Sequence, residues 1–130
     1  MKATLIKKKK QSITALKERL WKVFATYIKN RDGWSCFTCG RRGEGSAMHA
    51  GHFIPKSVGG IALYFDERNV HAQCYHCNIN LGGNQYVYGK RLGEIADELY
   101  HIKNIVMEKW NERTYEAKIA EYEDKVRNQH

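Results

Sequence analysis

Long apolar runs are missing from this sequence of 130 residues, in which uninterrupted hydrophobic stretches reach only four or five residues. A membrane-spanning helix needs about 20 apolar residues, and the N-terminal lysines are not followed by the apolar region of a signal peptide. No internal repeat is present, and the only low-complexity segment is a run of lysines. We therefore expect a protein without a membrane span or export signal that stays in the cytoplasm.

Acidic residues are scarce in the first third of the chain. Residues 1–42 hold twelve Lys and Arg against Glu18 and Asp32, whereas residues 43–130 hold ten basic and twelve acidic side chains. A basic segment attracts polyanions through counterion release, and nucleic acid is the commonest such partner. The segment is therefore interpreted as a DNA-binding element or, alternatively, as a solubilising tail.

We divide the chain into a flexible basic arm, residues 1–11, and one domain, residues 12–130. Within the domain, apolar spacings of three and four predict an N-terminal helix in residues 12–32, with Ser12 as its N-cap and Gly33 as its stop. Residues 86–130 show two further apolar stripes, which predict a pair of helices with Thr114 capping the second. The helix in residues 12–32 is expected to bury Leu16, Leu20, Val23, Phe24, Tyr27 and Ile28.

The central segment, residues 33–85, holds all four cysteines and too little periodic apolar sequence to fold on a hydrophobic core alone. The cysteines form two C-x₂-C pairs, Cys36 with Cys39 and Cys74 with Cys77. Disulfides are disfavoured without an export signal, and a redox C-x₂-C motif is not expected twice. Two such turns brought together make a closed four-thiolate site, so the sequence predicts one structural zinc ion that staples this segment.

Between the two cysteine pairs lies a histidine and asparagine pattern: His49-Ala-Gly-His52-Phe-Ile-Pro55, then Asn69, with Asn78 directly after the last cysteine. It resembles the HNH nuclease motif in its ββα-metal form. The resemblance implies that His52 is the general base and that Asn69 ties a loop by side-chain hydrogen bonds. Asn78 is then a ligand of a catalytic Mg²⁺ or Mn²⁺. A neutral imidazole can accept a proton from water near pH 7, and an amide oxygen suits a hard cation.

A closer resemblance is to the phage NinG (Rap) recombination nucleases. It rests on His49-Ala-Gly-His52, on the segment from Phe65 to Cys74, and on Gly83-Asn84 with Tyr88. It implies an α+β fold, with a small zinc-stapled ββα-metal core flanked by the N-terminal helix and a C-terminal helical pair. The implied activity is cleavage of branched recombination intermediates, such as Holliday junctions and D-loops, inside a bacterial host cell by a phage- or prophage-encoded protein.

Many zinc-containing HNH enzymes place an aspartate ligand just before the base, where this chain has Gly51. Metal binding then rests on Asn78 and waters, or His49 supplies a second ligand. The partner is DNA, and a homodimer is one arrangement for cutting both strands of a junction. The expected DNA contacts are basic residues of the arm and around the core: Lys7, Lys8, Lys9, Lys10, Arg41, Arg42, Lys56, Lys90 and Arg91.

Two other functions remain open from the sequence. One is an HNH enzyme of another substrate class, such as a nicking, packaging or homing endonuclease acting on duplex DNA. The other is a non-catalytic zinc-finger protein that binds nucleic acid. Cleavage of junction and linear DNA by the wild-type chain and by His52→Ala separates them.

Overall fold

The computed structural model describes residues 12–105 and 108–129. The elements follow one another as α1 (Ile13–Arg31), a 3₁₀ turn (Gly45–Ala47), β1 (Met48–His52), α2 (Lys56–Tyr64), β2 (Val70–Cys74), a π-helical turn (His76–Asn80), α3 (Gln85–Leu92), α4 (Glu94–Ile105) and α5 (Glu112–Arg127). The predicted α+β class is confirmed. Lys7, Lys8, Lys9 and Lys10 of the predicted arm lie outside the described residues. None of the described helices is long and apolar enough to span a membrane.

Helix α1 follows the predicted pattern. The Ser12 hydroxyl oxygen accepts a hydrogen bond from the Ala15 N–H at 3.1 Å, which caps one of the free donors of the first turn. The helix ends at Arg31, close to the predicted stop, and Gly33 follows with φ +63°. Four residues of the predicted stripe are fully buried: Leu16, Leu20, Phe24 and Ile28.

Strands β1 and β2 form an antiparallel hairpin in which His49 pairs with Gln73 and Gly51 pairs with His71. Because side chains alternate along a strand, these four residues share one face of the hairpin. The other face carries Ala50 and Val70, which pack against α1. Beside β1 the two surfaces meet, because Trp21, Ala25 and Lys29 of α1 line one pocket together with His49 and Asn78.

The outer edge of β2 is covered by the end of α1. Arg31 Nη2 donates to the Val70 carbonyl at 2.8 Å, and the Ala72 N–H donates to the Asp32 carboxylate at 2.8 Å. The Ala72 carbonyl accepts from the Phe37 N–H at 2.7 Å. The outward-facing carbonyl of Val70 and both outward-facing backbone groups of Ala72 are thus paired within the chain.

The ββα arrangement implied by the HNH resemblance is matched in its two strands but not in its helix. After β2 the chain forms a five-residue π-helical turn, and an α-helix begins only at Gln85. Gly82 and Gly83 have φ of +58° and +96°, a region that ends a helix. Asn78 therefore lies within a short turn rather than at the start of an α-helix.

The tail contains three helices instead of the predicted pair. Gly93, with φ +59°, breaks the first predicted helix into α3 and α4 because the left-handed conformation interrupts the helical hydrogen bonds. The predicted capping residue is also wrong. Asn111, not Thr114, is the N-cap of α5, and its side-chain oxygen accepts from the Thr114 N–H at 2.9 Å.

Both apolar stripes of the tail are used inside the chain. Tyr115, Ile119 and Tyr122 of α5 are buried against the stripe of α1. The remaining helices contribute to a second cluster around the loop after β1, which consists of Phe53, Ile54, Leu63, Tyr88, Leu92 and Leu99. A third buried cluster surrounds the cysteines and consists of Cys36, Met48, Ala72, Cys74 and Cys77.

Candidate functional site

The four cysteines come together as predicted. Their sulfur atoms all lie within 4.8 Å of one another, and Cys39 Sγ is 3.7 Å from Cys74 Sγ. A tetrahedral zinc ion with Zn–S bonds of about 2.3 Å places its sulfurs about 3.8 Å apart. Cys36, Cys74 and Cys77 are buried, and Cys39 is exposed. The cluster can therefore bind a structural metal ion such as zinc.

Neighbouring donors favour the thiolate form of Cys36, whereas burial raises the pKa of Cys39 to about 12 and that of Cys77 above its ordinary value. The N–H groups of Cys39 and Cys77 point at Cys36 Sγ and Cys74 Sγ, at 3.4 and 3.5 Å, and Asn84 Nδ2 lies 3.7 Å from Cys77 Sγ. Burial alone raises the pKa of Cys36, but hydrogen bonds from the Thr38 hydroxyl and from backbone groups bring that pKa down to about 6. Such donors around metal-binding sulfurs stabilise the bound ion.

His52 lies at the end of β1 on the side that faces α1. Its Nε2 is 2.9 Å from the Tyr64 carbonyl oxygen, and its ring is stacked on Trp21 with centroids 5.0 Å apart. A carbonyl can only accept, so Nε2 carries the proton in this hydrogen bond. Nδ1 of the neutral ring then keeps its lone pair and can act as a base.

The surroundings of His52 keep its ring neutral. Burial lowers its pKa below the ordinary histidine value, and the positive charges of Lys56 and Lys17 lower it further, against the opposing effect of the Tyr64 carbonyl. Beside the ring, Trp21 and Tyr64 form part of the wall of an open cleft of about 830 Å³. Lys17 Nζ lies 4.5 Å from the centre of the Tyr64 ring. A neutral base thus lies next to a cleft with positive charge on its rim.

Asn69 is completely buried and ties two parts of the chain together. Its Oδ1 accepts from the Ile54 N–H at 2.8 Å, while Nδ2 donates to the carbonyl oxygens of Ile54 and Leu63 at 3.1 and 2.9 Å. The side chain thereby links the loop after β1 to the end of α2. That link also fixes Tyr64, the residue after Leu63, whose carbonyl holds His52.

His49 and Asn78 meet on the opposite side of β1. Asn78 Nδ2 donates to His49 Nδ1 at 3.0 Å. The Asn78 side-chain oxygen points toward Gly51. A Cβ atom placed on Gly51 would lie 3.0 Å from this oxygen. The two side chains predicted to bind the divalent ion are therefore neighbours, and His52 is displayed from the other face of the same strand.

Tyr88 of α3 holds the backbone of Gly51 in place. Its hydroxyl donates to the Gly51 carbonyl at 2.7 Å and accepts from His71 Nδ1 at 3.1 Å. Burial, followed by the charge of Arg31, lowers the pKa of His71 to about 4 in spite of the nearby Asp32 carboxylate. His71 therefore stays neutral and supports the strand through Tyr88.

The residues around Asn78 fit the divalent ion that the resemblance implies. Gln73 is fully buried, and its Oε1 is the one buried side-chain nitrogen or oxygen without a hydrogen-bond partner in the described part of the chain. This oxygen and Asn78 Oδ1 both lie within 3.0 Å of the point where a Gly51 Cβ would be. Amide oxygens are ligands that Mg²⁺ and Mn²⁺ accept.

Comparison with known proteins gives the family. The family described as "Bacteriophage Lambda NinG protein" matches residues 2–130. The chain belongs to this NinG family. Protein ninG of Escherichia phage 933W is 32% identical over 108 residues, which cover 78% of this chain and 52% of the relative.

Protein ninG of Escherichia phage lambda is similar to the same degree, at 32% identity, with 78% of this chain and 51% of the relative covered. Protein ninG of Salmonella phage P22 has the same identity and coverage. The chain thus spans about half the length of the curated relatives that it matches. No solved structure matches the chain.

The basic residues predicted to contact DNA lie on several surfaces of this NinG-family chain. Lys56 begins α2 on the rim of the cleft beside His52. Arg41 and Arg42 are exposed after the first cysteine pair, and Lys90 and Arg91 are exposed in the last turn of α3. The structure brings Lys56, but none of the other four, to the cleft next to the candidate base.

Three residues of the site were not predicted from the sequence: Trp21, Tyr64 and Gln73. Trp21 lies outside the apolar stripe of α1, and only the packing of α1 on β1 brings it onto His52. Tyr64 acts through its backbone carbonyl, which carries no sequence signal. Gln73 stands next to Cys74 of the cysteine cluster, and this position is the sequence feature that could have drawn attention to it.

Proposed function

We propose that this NinG-family chain is a metal-dependent endonuclease that hydrolyses phosphodiester bonds in DNA, with branched recombination intermediates as substrates. The observation that carries the proposal is the state of His52. The Tyr64 carbonyl fixes the proton on Nε2, burial and two lysines disfavour a second proton, and Nδ1 is left as an acceptor. General-base catalysis of phosphodiester hydrolysis needs such an imidazole.

In this mechanism His52 Nδ1 accepts a proton from the attacking water. The hydrogen bond from Nε2–H to the Tyr64 carbonyl keeps the ring in one orientation, so the rotational freedom of the base is lost before substrate binds. Stacking against Trp21 restricts the ring from its flat side. Trp21 also lines both the cleft and the pocket that holds His49 and Asn78, so the base and the ligands of the ion border on the same side chain.

Asn78 supplies an oxygen ligand for a divalent ion, and His49 orients that oxygen by accepting from Asn78 Nδ2. A bound Mg²⁺ or Mn²⁺ would stabilise negative charge on the phosphate and on the departing 3′ oxygen. We propose zinc for the four-cysteine cluster, where its role is structural: it joins the turn before β1 to the turn that carries Asn78. The two metals are separated by ligand type, soft sulfur against hard oxygen.

Positive charge near His52 provides contacts for the DNA backbone. The cleft is lined by more positive than negative side chains. They are Lys17, Lys22, Lys56 and Lys109, with Glu18 and Glu108 as the acidic residues. Trp21, Tyr64 and Trp110 add aromatic surface to the same cleft. Basic and aromatic side chains together suit DNA with unpaired bases, since each base can stack while the phosphates meet lysines. This composition supports a branched rather than a uniform duplex substrate.

The test is cleavage by zinc-loaded protein of a synthetic four-way junction and a matched linear duplex, with Mg²⁺ or Mn²⁺ added. We expect preferential cutting of the junction and a rate lower by about 10²–10⁴ for His52→Ala, the range for loss of a general base. His101→Ala, a change on the exposed part of α4, serves as the matched control and should cut as the wild type does. DNA binding should be unchanged in His52→Ala.

Each rival function predicts a different result in the same assay. Equal cutting of linear duplex and junction would favour a duplex-nicking enzyme. Tight binding without cleavage under every metal condition would favour a non-catalytic zinc-finger protein. Full activity of His52→Ala would refute the assignment of the base.

A further inference from the structure

The Gln73 side chain combines complete burial with an unused acceptor. Its Nε2 donates to the Gly83 carbonyl at 2.8 Å and to the Thr38 hydroxyl at 3.2 Å, while its Oε1 has no partner among the described residues. A buried amide oxygen without a hydrogen bond costs free energy, because it loses its hydration and gains no partner in return. The fold tolerates this cost at a position where an apolar residue of similar size would avoid it.

The orientation of the amide is fixed by its two partners. A rotated amide would point Oε1 at the Gly83 carbonyl, and two acceptors cannot share a hydrogen bond. The Thr38 hydroxyl, in turn, lies 3.2 Å from Cys36 Sγ, so it can donate to the sulfur while it accepts from Gln73. The oxygen of Gln73 is therefore held on the side away from the cysteine cluster.

On that side Oε1 lies over Gly51. A Cβ atom on Gly51 would overlap Oε1 and would lie 3.0 Å from Asn78 Oδ1. The backbone of Gly51 does not adopt the left-handed conformation that favours glycine. A side chain at position 51 is excluded because Gln73 Oε1 occupies the space that its Cβ atom would need. Two amide oxygens thus converge on the small volume that any other residue at position 51 would fill.

We propose that Gln73 Oε1 and Asn78 Oδ1 together bind one divalent cation of the Mg²⁺ or Mn²⁺ class, with water completing its coordination. Gln73 occupies the space in which an aspartate at position 51 would place its ligand. His49 then acts as a positioning residue that orients Asn78 instead of binding the ion itself. The proposal rests on the proposed function for the ion's role in cleavage, but binding is measured independently of activity.

The first experiment uses the full-length, zinc-loaded wild-type chain and Mg²⁺ alone. Coordination through the side-chain carbonyls should shift the ¹³CO and NH₂ resonances of Gln73 and Asn78 together, along one saturable titration curve. The side-chain amide of Asn80, which is exposed in the same turn, serves as the internal control and should stay unchanged. Since no variant is needed, the result does not depend on tolerance to substitution.

The second experiment measures Mn²⁺ affinity by electron paramagnetic resonance, with zinc content verified for each protein. Gln73→Met should weaken binding about tenfold or more, comparable to the 10–100-fold losses known for groups that support metal ligands. Asn80→Ala is the matched control and should bind as the wild type does. Gly51→Ala, which keeps Gln73 but displaces its oxygen, should also weaken binding. The double variant Gln73→Ala/Gly51→Asp should regain affinity, because a carboxylate then replaces the amide oxygen.

The outcomes separate this inference from the proposed function. Shifts at Asn78 without shifts at Gln73, together with unchanged Mn²⁺ affinity in Gln73→Met and Gly51→Ala, would overturn the ligand role of Gln73 and leave metal-dependent cleavage intact. Absence of any Mg²⁺ or Mn²⁺ binding near Asn78, with cleavage still observed, would overturn the inference and place the ion elsewhere. Binding with no cleavage of any DNA would support the site and refute the nuclease.

Discussion

Asn69 offers a direct test of how the site is held together. Replacing it with Leu keeps a side chain of similar volume but removes all three hydrogen bonds to Ile54 and Leu63. Those two residues are each 1% exposed, so water cannot easily replace the lost partner. The Ile54 N–H and the Ile54 carbonyl are left unsatisfied, at about 1–3 kcal/mol for each buried group, while the Leu63 carbonyl keeps the hydrogen bond from the Asp66 N–H at 3.3 Å.

We expect Asn69→Leu to lower the free energy of unfolding by about 2–5 kcal/mol, since two buried groups of Ile54 lose the Asn69 side chain as their partner. That is a large part of the roughly 5–15 kcal/mol typical of a domain. Asn69→Ala should lose more, because a cavity is added to the same loss of hydrogen bonds. Urea unfolding of zinc-saturated protein, followed by circular dichroism, measures both.

Asn80→Ala provides the control, since Asn80 is exposed and bonds only to the exposed His76 among the described residues. A change within about 0.5 kcal/mol is expected there. A loss below about 1 kcal/mol for Asn69→Leu would refute the network described here. The anchoring of the Tyr64 carbonyl, and with it the fixed orientation of His52, would then need another explanation.

Three further predictions concern the metal, the base and the arm. Purified protein should carry about one tightly held zinc ion, and Cys36→Ser should unfold the central region because structural zinc contributes directly to folding; a folded, zinc-free protein would contradict this. Burial and the charges of Lys56 and Lys17 lower the pKa of His52 below the ordinary histidine value. The cleavage rate should therefore rise with pH only below the ordinary histidine pKa and be flat above pH 7. A rate that still climbs above pH 7.5 would argue against His52 as the base. In that same acidic range the unfolded chain binds more protons than the folded chain, so stability should fall as pH falls. Deleting residues 1–10, which hold five lysines, should weaken binding to every DNA shape and make its salt dependence shallower, with cleavage per bound complex unchanged; lost cleavage at saturating protein would place the arm in the active site.

Local patterns in the sequence were sufficient for α1 and for the cysteine cluster. Apolar side chains recur every four residues in α1 because one side of the helix is buried, at Leu16, Leu20, Phe24 and Ile28. The Ser12 hydroxyl caps the helix through a residue only three positions away. Two C-x₂-C turns can be recognised because a metal site restricts both residue type and spacing. These features depend on neighbours along the chain, which the sequence displays directly.

Features that depend on distant contacts could not be predicted in the same way. The first apolar stripe of residues 86–130 suggested one helix, and only the conformation of Gly93 divides it. Glutamine in a strand is usually exposed, so the burial of Gln73 depends on how Gly83 and Thr38 pack around it. Trp21 meets His52 only after α1 docks on β1, an event that no local pattern records.

The paired edge of β2 limits how this domain can meet other polypeptides. An open strand edge is a template for a strand of another chain, and unprotected edges promote aggregation and domain swapping. Here Arg31 and Asp32 bind the Val70 carbonyl and the Ala72 N–H, and the Phe37 N–H binds the Ala72 carbonyl. A foreign strand could join at β2 only by first detaching the end of α1 and the turn that holds Phe37. These contacts thus protect the β2 edge of the two-stranded sheet from strand addition, and variants at Arg31 or Asp32 should show their defect as self-association at high protein concentration.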